Sequence, residues 1–183
     1  NSIDEAIAGY CDTITVTLHE DGACSVQDNG RWIPTWIHPK TKKSALETTL
    51  TVLHAWGKFG WGWYKVSWGL HWVWSSVVNA LSTKMEAWVH REGKIFYQQY
   101  ETGKPLEDVK TIGESKKTGT IIKFYPDASI FKATIVFNYK TIVTRLRQQA
   151  YLTKGVRIFL LDERETENKT VDMEEKVEKV MCD

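Results

Sequence analysis

No stretch of this 183-residue chain approaches the roughly 18 to 20 consecutive uncharged apolar residues that cross a bilayer as a helix, which excludes a membrane-spanning helix. Cysteine is scarce: Cys11, Cys24 and Cys182 are odd in number and have no close pairing. That excludes a disulfide framework and a zinc site, and it points to a reducing, cytoplasmic compartment. The histidines (His19, His38, His54, His71, His90) lack metal-ligand spacing and read as structural or as the rim of a pocket. Ser67 has no Gly-x-Ser-x-Gly setting and no partnered His and Asp, which argues against a hydrolase triad. Charge of one sign is missing too. With 24 Lys and Arg against 23 Asp and Glu the net charge is +1, without the basic excess of a domain that grips a phosphate backbone. No signal peptide opens the chain, and it begins at Asn1 rather than Met, already in a helical pattern, so it reads as a fragment.

What is present fits one folded domain. Apolar residues make up 42% and aromatics 12%, enough to bury a sizeable core and too much for wholesale disorder. Tryptophan is abundant and unevenly placed: eight of the nine (Trp32, Trp36, Trp56, Trp61, Trp63, Trp68, Trp72, Trp74) fall between positions 32 and 74, and Trp88 stands alone.

Hydrophobic periodicity orders the elements. Ile3, Ala6 and Ile7 share a helical face that Gly9 closes. Ile14, Val16 and Leu18 alternate through a strand over 13–19, Asp21-Gly22 turns the chain, and 23–28 forms a second strand. Ser44-Ala45-Leu46-Glu47 has the form of a capping box, and Leu46, Leu50 and Leu53 carry a helix to about His54. Between Trp56 and Trp74, ten of nineteen residues are Gly or Trp, which predicts a loop. Val73, Val77 and Leu81 share one face of a helix beginning near Leu70. Strands are predicted over 84–91, 94–101, 109–114 and 119–125. Asn138 caps a helix burying Tyr139, Val143, Leu146 and Ala150, and 156–161 is a further strand. The order predicts an α+β two-layer sandwich, a mixed and mostly antiparallel sheet with helices on one face. Residues 1–163 form one domain. The segment 164–183 reads as an acidic start of the next strand or linker, since nine acidic and four basic residues fall between Asp162 and Asp183.

Nucleotide binding is suggested by the residues themselves. Asp28 ends a strand at the turn Asn29-Gly30, where a carboxylate can accept a hydrogen bond from a bound amine or serve as a plain turn aspartate. Lys58 and Lys65 flank the glycine-rich loop, and the helix start near Leu70 follows directly. Backbone N–H groups, a helix dipole and two ammonium groups suit phosphate, though an ordinary surface loop has the same composition.

Asp28-Asn29-Gly30-Arg31-Trp32-Ile33-Pro34, His38-Pro39-Lys40, Leu53-His54-Ala55-Trp56-Gly57-Lys58-Phe59, Tyr64-Lys65-Val66-Ser67-Trp68-Gly69-Leu70-His71-Trp72-Val73-Trp74 and Lys117-Thr118-Gly119-Thr120 carry a resemblance. Together with Asn1 to Ala6 and Val77 to Ser82, they resemble the B-subunit family of bacterial type II topoisomerases, DNA gyrase first and topoisomerase IV beside it. The similarity runs in order over about 1–163. It implies the Bergerat-type ATP-binding fold, shared with Hsp90 chaperones, MutL-type repair proteins and sensor histidine kinases. It further implies that Asn1 helps ligate the Mg2+ bridging the ATP phosphates, that Asp28 binds the adenine amino group, and that Thr120 supports it, partly through water. Lys58, Tyr64 and Lys65 match lid positions near the phosphates, and Gly69, Leu70, His71, Trp72, Val73 and Trp74 match the turn that wraps them. Arg91 matches a rim arginine, Glu5 and Arg31 a bracing salt bridge, and Trp32, Ile33 and Pro34 the pocket wall. The family's general base is a glutamate four residues before the magnesium asparagine, which places it ahead of Asn1, so this fragment alone is expected to be inactive. In the whole subunit, ATP drives strand passage and negative supercoiling of double-stranded DNA, with a second B subunit and the gyrase A subunit as partners. Without the family's dimerising N-terminal arm this fragment is expected to be monomeric.

The tryptophans depart from that pattern. Trp32, Trp56, Trp68, Trp72 and Trp74 stand where the family has glycine, and Trp36, Trp61 and Trp63 where many members have it. Glycine serves there by reaching positive φ and approaching phosphate closely. Indoles add bulk instead, and the literal chain is expected to bind ATP poorly. Taken at face value, aromatics interleaved with Arg31, Lys40, Lys58 and Lys65 would instead make a single-stranded nucleic-acid or interfacial binding module without ATPase activity. One residue type replaced repeatedly by one other is better explained by decoding: UGA, read as glycine in some bacterial lineages, is written as tryptophan under a table assigning UGA to tryptophan. The gene is therefore expected to carry UGA at the eight clustered positions and UGG at Trp88. Sequencing those codons checks this, and UGG at the eight would refute it.

Overall fold

The computed structural model describes residues 1–31, 33–37, 43–52, 73–164 and 171–172. Among them, helix α1 (Ser2–Ile7) is followed by the hairpin β1 (Thr13–Leu18) and β2 (Cys24–Asp28), then α2 (Ala45–Thr51) and α3 (Val73–Ala80). The antiparallel run β3 (Ser82–Arg91), β4 (Lys94–Glu101), β5 (Lys104–Pro105), β6 (Lys110–Glu114) and β7 (Gly119–Pro126) comes next. Helix α4 (Tyr139–Leu152), β8 (Arg157–Asp162) and β9 (Val171–Asp172) complete the order. The strands lie as β5-β4-β3-β7-β2-β1-β8-β9, with β6 also paired to β4. Only β1 and β8 run parallel, with Ile14 opposite Ile158 and Val16 opposite Leu160. The short β5 carries no periodicity of its own and escapes the sequence reading, and β9 falls within the segment read as the start of the next strand or linker.

Strand alternation assigns the two faces. Ile14, Val16, Leu18, Met85, Ala87, Val89, Ile158 and Leu160 are all buried beneath the helices. Thr13, Thr15, Thr17 and Trp88 take the other face, where Trp88 packs on Tyr97 with ring centroids 5.2 Å apart. Under α2, Leu46 and Leu50 join Ile33, Met85, Ala87, Val89 and Tyr100. Under α4, Val143 joins Val16, Leu18, Cys24 and Leu160, with Tyr139, Ile142, Leu146 and Ala150 against them. Ile3 and Ala6 of α1 cover Cys11, Ile14, Val156 and Ile158. Burial pushes the Cys24 thiol up to about 12, and burial followed by the Asp28 carboxylate raises Cys11, so both free thiols stay protonated and unreactive.

Local chemistry sets the element ends. Ser44 Oγ accepts from the Glu47 N–H at 2.9 Å, but the other half of the capping box does not form: the Glu47 carboxylate takes the Lys43 ammonium at 2.7 Å. Asn138 caps α4 through the Thr141 N–H at 2.9 Å. The turn after β3 puts Glu92 and Gly93 at φ 54 and 79, as a two-residue antiparallel connection requires. His19 links Ser25 Oγ (2.8 Å) to Glu163 Oε2 (2.7 Å), and Arg164 grips Asp162 while donating to the Phe137 carbonyl, which fastens the end of β8. Helix α3 differs from expectation. Its buried residues are Ser75, Ser76 and Asn79, with Val78 packed on the core under α2, rather than the Val77 and Leu81 stripe. Asn79 donates to the Leu50 carbonyl at 2.8 Å and the Gly103 carbonyl at 3.3 Å, so hydrogen bonds hold this face more than apolar area does.

At the start of β7, Gly119 lies so close to β2 that a Cβ there would sit 2.4 Å from the Asp28 carbonyl oxygen, at φ +154. Gly119→Ala is expected to destabilise the domain by about 3 kcal/mol or more, through overpacking plus backbone strain. Thermal unfolding would register this as a loss of several degrees, whereas Gly113→Ala in β6, whose Cβ would meet only Ile95 Cδ1 at 3.5 Å, should lose much less.

Candidate functional site

Three elements bring polar groups to the gap between the core under α2 and the cores under α1 and α4. Asp28 closes β2 with its side chain on the helix-facing side of the sheet and 4% exposed. Its Oδ1 accepts the Gly30 N–H at 3.0 Å and its Oδ2 accepts the Ser2 hydroxyl at 2.6 Å. These bonds orient the carboxylate. Thr120 stands directly opposite Asp28 in the β2–β7 register, 1% exposed, and its Oγ1 is buried without a partner. Asn1 caps α1 by position and donates through Nδ2 to Ser75 Oγ of α3, which leaves its Oδ1 buried and likewise without a partner. A buried acceptor without a donor costs roughly 1 to 3 kcal/mol, so such groups mark places that a ligand or water completes.

Between these groups lies a cavity of about 200 Å³. Its floor is apolar, from Val26, Ile122 and Phe124 of the sheet and Val78 of α3, and its polar end is Asp28 with Asn1. Trp74 stands at its mouth, 62% exposed. An apolar slot with hydrogen-bonding groups at one end suits a flat heteroaromatic ring carrying an exocyclic donor. Among the described residues no cluster of three or more His, Cys, Asp or Glu is arranged to hold a metal ion. Any cation here would rest on the Asn1 Oδ1 and on oxygens brought by the ligand.

The wall around Asp28 is held by two long-range contacts. Glu5, fully buried on α1, accepts the Arg31 N–H on Oε2 at 3.1 Å. The expected side-chain ion pair is thus a main-chain hydrogen bond, because the Arg31 guanidinium instead lies over the Tyr10 ring at 3.3 Å. Arg91 donates through Nη1 to the carbonyls of Arg31 (2.7 Å) and Ile33 (3.2 Å), so it clamps the wall main chain. Ile33 and Pro34 are buried behind it.

Asn1, Asp28 and Trp74 thus converge on one cavity with Thr120 opposite Asp28, supported by Glu5, Arg31, Ile33, Pro34 and Arg91, and Val73 opens α3. Trp32, Lys58, Tyr64, Lys65, Gly69, Leu70, His71 and Trp72 lie outside the described residues. The sequence reading misses Ser2 and Ser75, which orient Asp28 and Asn1, and Tyr10 beneath Arg31. Only Ser2 has a signal, its place beside the expected metal-binding asparagine.

No protein-family model matches the chain. It is 56% identical over 167 residues, 91% of its length, to the DNA gyrase B protein of Halalkalibacterium halodurans. It is also 53% identical over 92% of its length to the DNA gyrase B protein of Staphylococcus aureus. In each pairing the chain spans 26% of the relative, about a quarter of it. In three dimensions it is similar to the 43K ATPase domain of Thermus thermophilus gyrase B, crystallised in complex with an aminocoumarin. That match has a TM-score of 0.79 and 37% identity, over 93% of this chain and 42% of that one.

Glu5→Ala would leave the part-buried Arg31 N–H without its acceptor. It is expected to destabilise the fold by about 1 to 3 kcal/mol, read as a drop in thermal midpoint, while Glu20→Ala on the exposed hairpin turn should be near neutral.

Proposed function

This chain belongs to the ATPase-domain family of DNA gyrase B, and from that membership we propose that it binds ATP in the cavity beside Asp28 as the nucleotide-operated part of a type II topoisomerase. The observation that carries the reading is the buried Asp28 at the polar end of an apolar slot, with the buried Thr120 facing it across β2 and β7.

The adenine ring lies against Val26, Val78, Ile122 and Phe124, and its exocyclic amine donates to the Asp28 carboxylate. Ser2 and Gly30 fix that carboxylate in one orientation, so the base meets a preorganised acceptor. The Thr120 hydroxyl completes its hydrogen bonding on the ring or on a water beside it. Burial strengthens each of these contacts and makes an unmatched base costly, which is the source of selection for adenine. At the other end, Asn1 Oδ1 is a hard, neutral oxygen with no partner in the protein, and it fits Mg2+, which prefers few protein ligands plus phosphate oxygens and water. When bound, the ion would neutralise charge on the phosphates. Lys58, Tyr64, Lys65 and the segment Gly69 to Trp74 are assigned to the phosphate side. Bulk at the tryptophan positions would weaken binding there. Residues 1–163 are assigned as the ATP-binding unit and 164–183 as the start of the next strand or linker. In the whole protein, located in the cytoplasm, nucleotide binding would couple a second B subunit, the gyrase A subunit and double-stranded DNA to strand passage.

Calorimetric titration with adenosine tests the base contact. Adenosine is expected to bind, inosine, which lacks the amine, to bind at least about tenfold more weakly, and Asp28→Asn to lose about tenfold or more in adenosine affinity. Equal affinities for the two nucleosides would overturn the assignment.

A further inference from the structure

We infer that the outer face of the sheet carries a second binding site, an open basin beside Lys116 and Lys117 that takes a compact multivalent oxyanion of the phosphate or pyrophosphate type. The site stands independently of the adenine reading, because it lies on the face opposite the helices.

A cavity of about 660 Å³ opens there, within the roughly 300 to 1,000 Å³ of small-molecule sites. Thr13 and Thr15 of β1, Gln27 of β2 and Ile121 of β7 line it. Gln27 and Ile121 are register partners next to the Asp28 and Thr120 pair, so strand alternation sends them outward where that pair goes in. Lys116, Lys117 and Thr118, in the connection from β6 to β7, form a wall with His90 beside them. The chain itself fixes this wall. Ser115 donates its N–H to the Gly93 carbonyl at 3.0 Å, while its hydroxyl bonds His90 Nδ1 at 2.9 Å and accepts the Lys117 N–H at 3.2 Å. Asn29 holds the far side, where its Oδ1 accepts the N–H groups of Asp12 (3.1 Å) and Thr13 (3.2 Å).

The lining is matched to negative charge. It presents ammonium, hydroxyl and amide groups, all able to donate hydrogen bonds. No carboxylate side chain competes for them. Asp28 reaches the basin, but its carboxylate is turned to the helices and bonded to Ser2 and Gly30. Asp12 at the edge is held by Thr13 Oγ1 and Asn29 Nδ2, each at 2.7 Å. Elsewhere on this face lysines are spoken for, Lys84 by Glu86 at 3.1 Å and Lys123 by Asp21 at 2.8 Å. Among the described residues Lys116 and Lys117 have no such partner, and two adjacent ammonium groups gain from an anion that bonds both. No Phe, Tyr or Trp lines the basin, so it offers no platform on which a base could stack, and the oxyanion itself is the ligand it suits.

The test is an amide-correlation NMR titration of the 183-residue chain with inorganic phosphate and with pyrophosphate, without Mg2+ and at constant ionic strength. The amides of Asn29, Lys116, Lys117 and Thr118 are expected to shift saturably. Lys116→Gln combined with Lys117→Gln should weaken that binding about tenfold or more, and Lys116→Arg combined with Lys117→Arg should keep it. The remaining amide signals report that each variant keeps its fold. The inference is overturned if these amides show no saturable shift with either anion, if the glutamine variant binds as the starting chain does, or if the arginine variant loses binding as well. A double-stranded oligonucleotide that moves the same amides when neither small anion does would overturn it too, by making this face a nucleic-acid surface.

Discussion

The close approach of β7 to β2 at Gly119 is the constraint around which the site is arranged. Because no Cβ intervenes, the strand can run against the Asp28 carbonyl and continue in register, Thr120 opposite Asp28, Ile122 opposite Val26 and Phe124 opposite Cys24. Strand periodicity then does the rest: every second residue on each strand faces the helices, so one register yields a polar pair at the strand ends and an apolar floor behind it. A slip of one residue would send Asp28 to the other face. The helices complete the arrangement from separate directions, α1 bringing Asn1 and Ser2, and α3 bringing Trp74 and Ser75.

That geometry concentrates buried polar groups, which must be matched or they cost stability. Most are matched by the chain itself. Glu5 takes the Arg31 N–H, Asp28 the Ser2 hydroxyl and Gly30 N–H, Asn79 donates to the Leu50 carbonyl, and Gln98 meets the Tyr100 hydroxyl and the Glu107 carbonyl. The buried side-chain atoms left over among the described residues are on Asn1, Asn79 and Thr120. Asn1 lines the cavity and Thr120 faces Asp28 beside it. Asn79, on the inner face of α3, does not line the cavity.

Elements with strong periodicity are legible in the sequence. The alternation of Ile14, Val16 and Leu18, the Asn138 cap and the Tyr139, Val143, Leu146, Ala150 face all stand as expected, because each signal lies within one element. The helix-facing Asp28 is legible as a strand-end carboxylate suited to a bound amine, but its partners are not, since Thr120 stands 92 residues on and Ser2 lies on another element. Helix α3 departs from expectation on its face: its apolar residues suggest a Val77 and Leu81 stripe, whereas Ser75, Ser76 and Asn79 go inward because hydrogen bonds to Asn1 and to the Leu50 and Gly103 carbonyls hold them there. Glu5 and Arg31 do meet, but the cation goes to Tyr10 and the main chain supplies the bond. Side-chain chemistry alone cannot foretell a backbone donor.

Two tryptophans show why the same residue type means different things in this chain. Trp88 lies on the outward face of β3, half-buried against Tyr97, where a large flat side chain covers its neighbours and an aromatic pair adds to the area buried. Trp74 lies in a short helix beside a mostly apolar cavity, with most of its surface in water and no comparable gain from burial. Stability therefore explains Trp88 and does not explain Trp74.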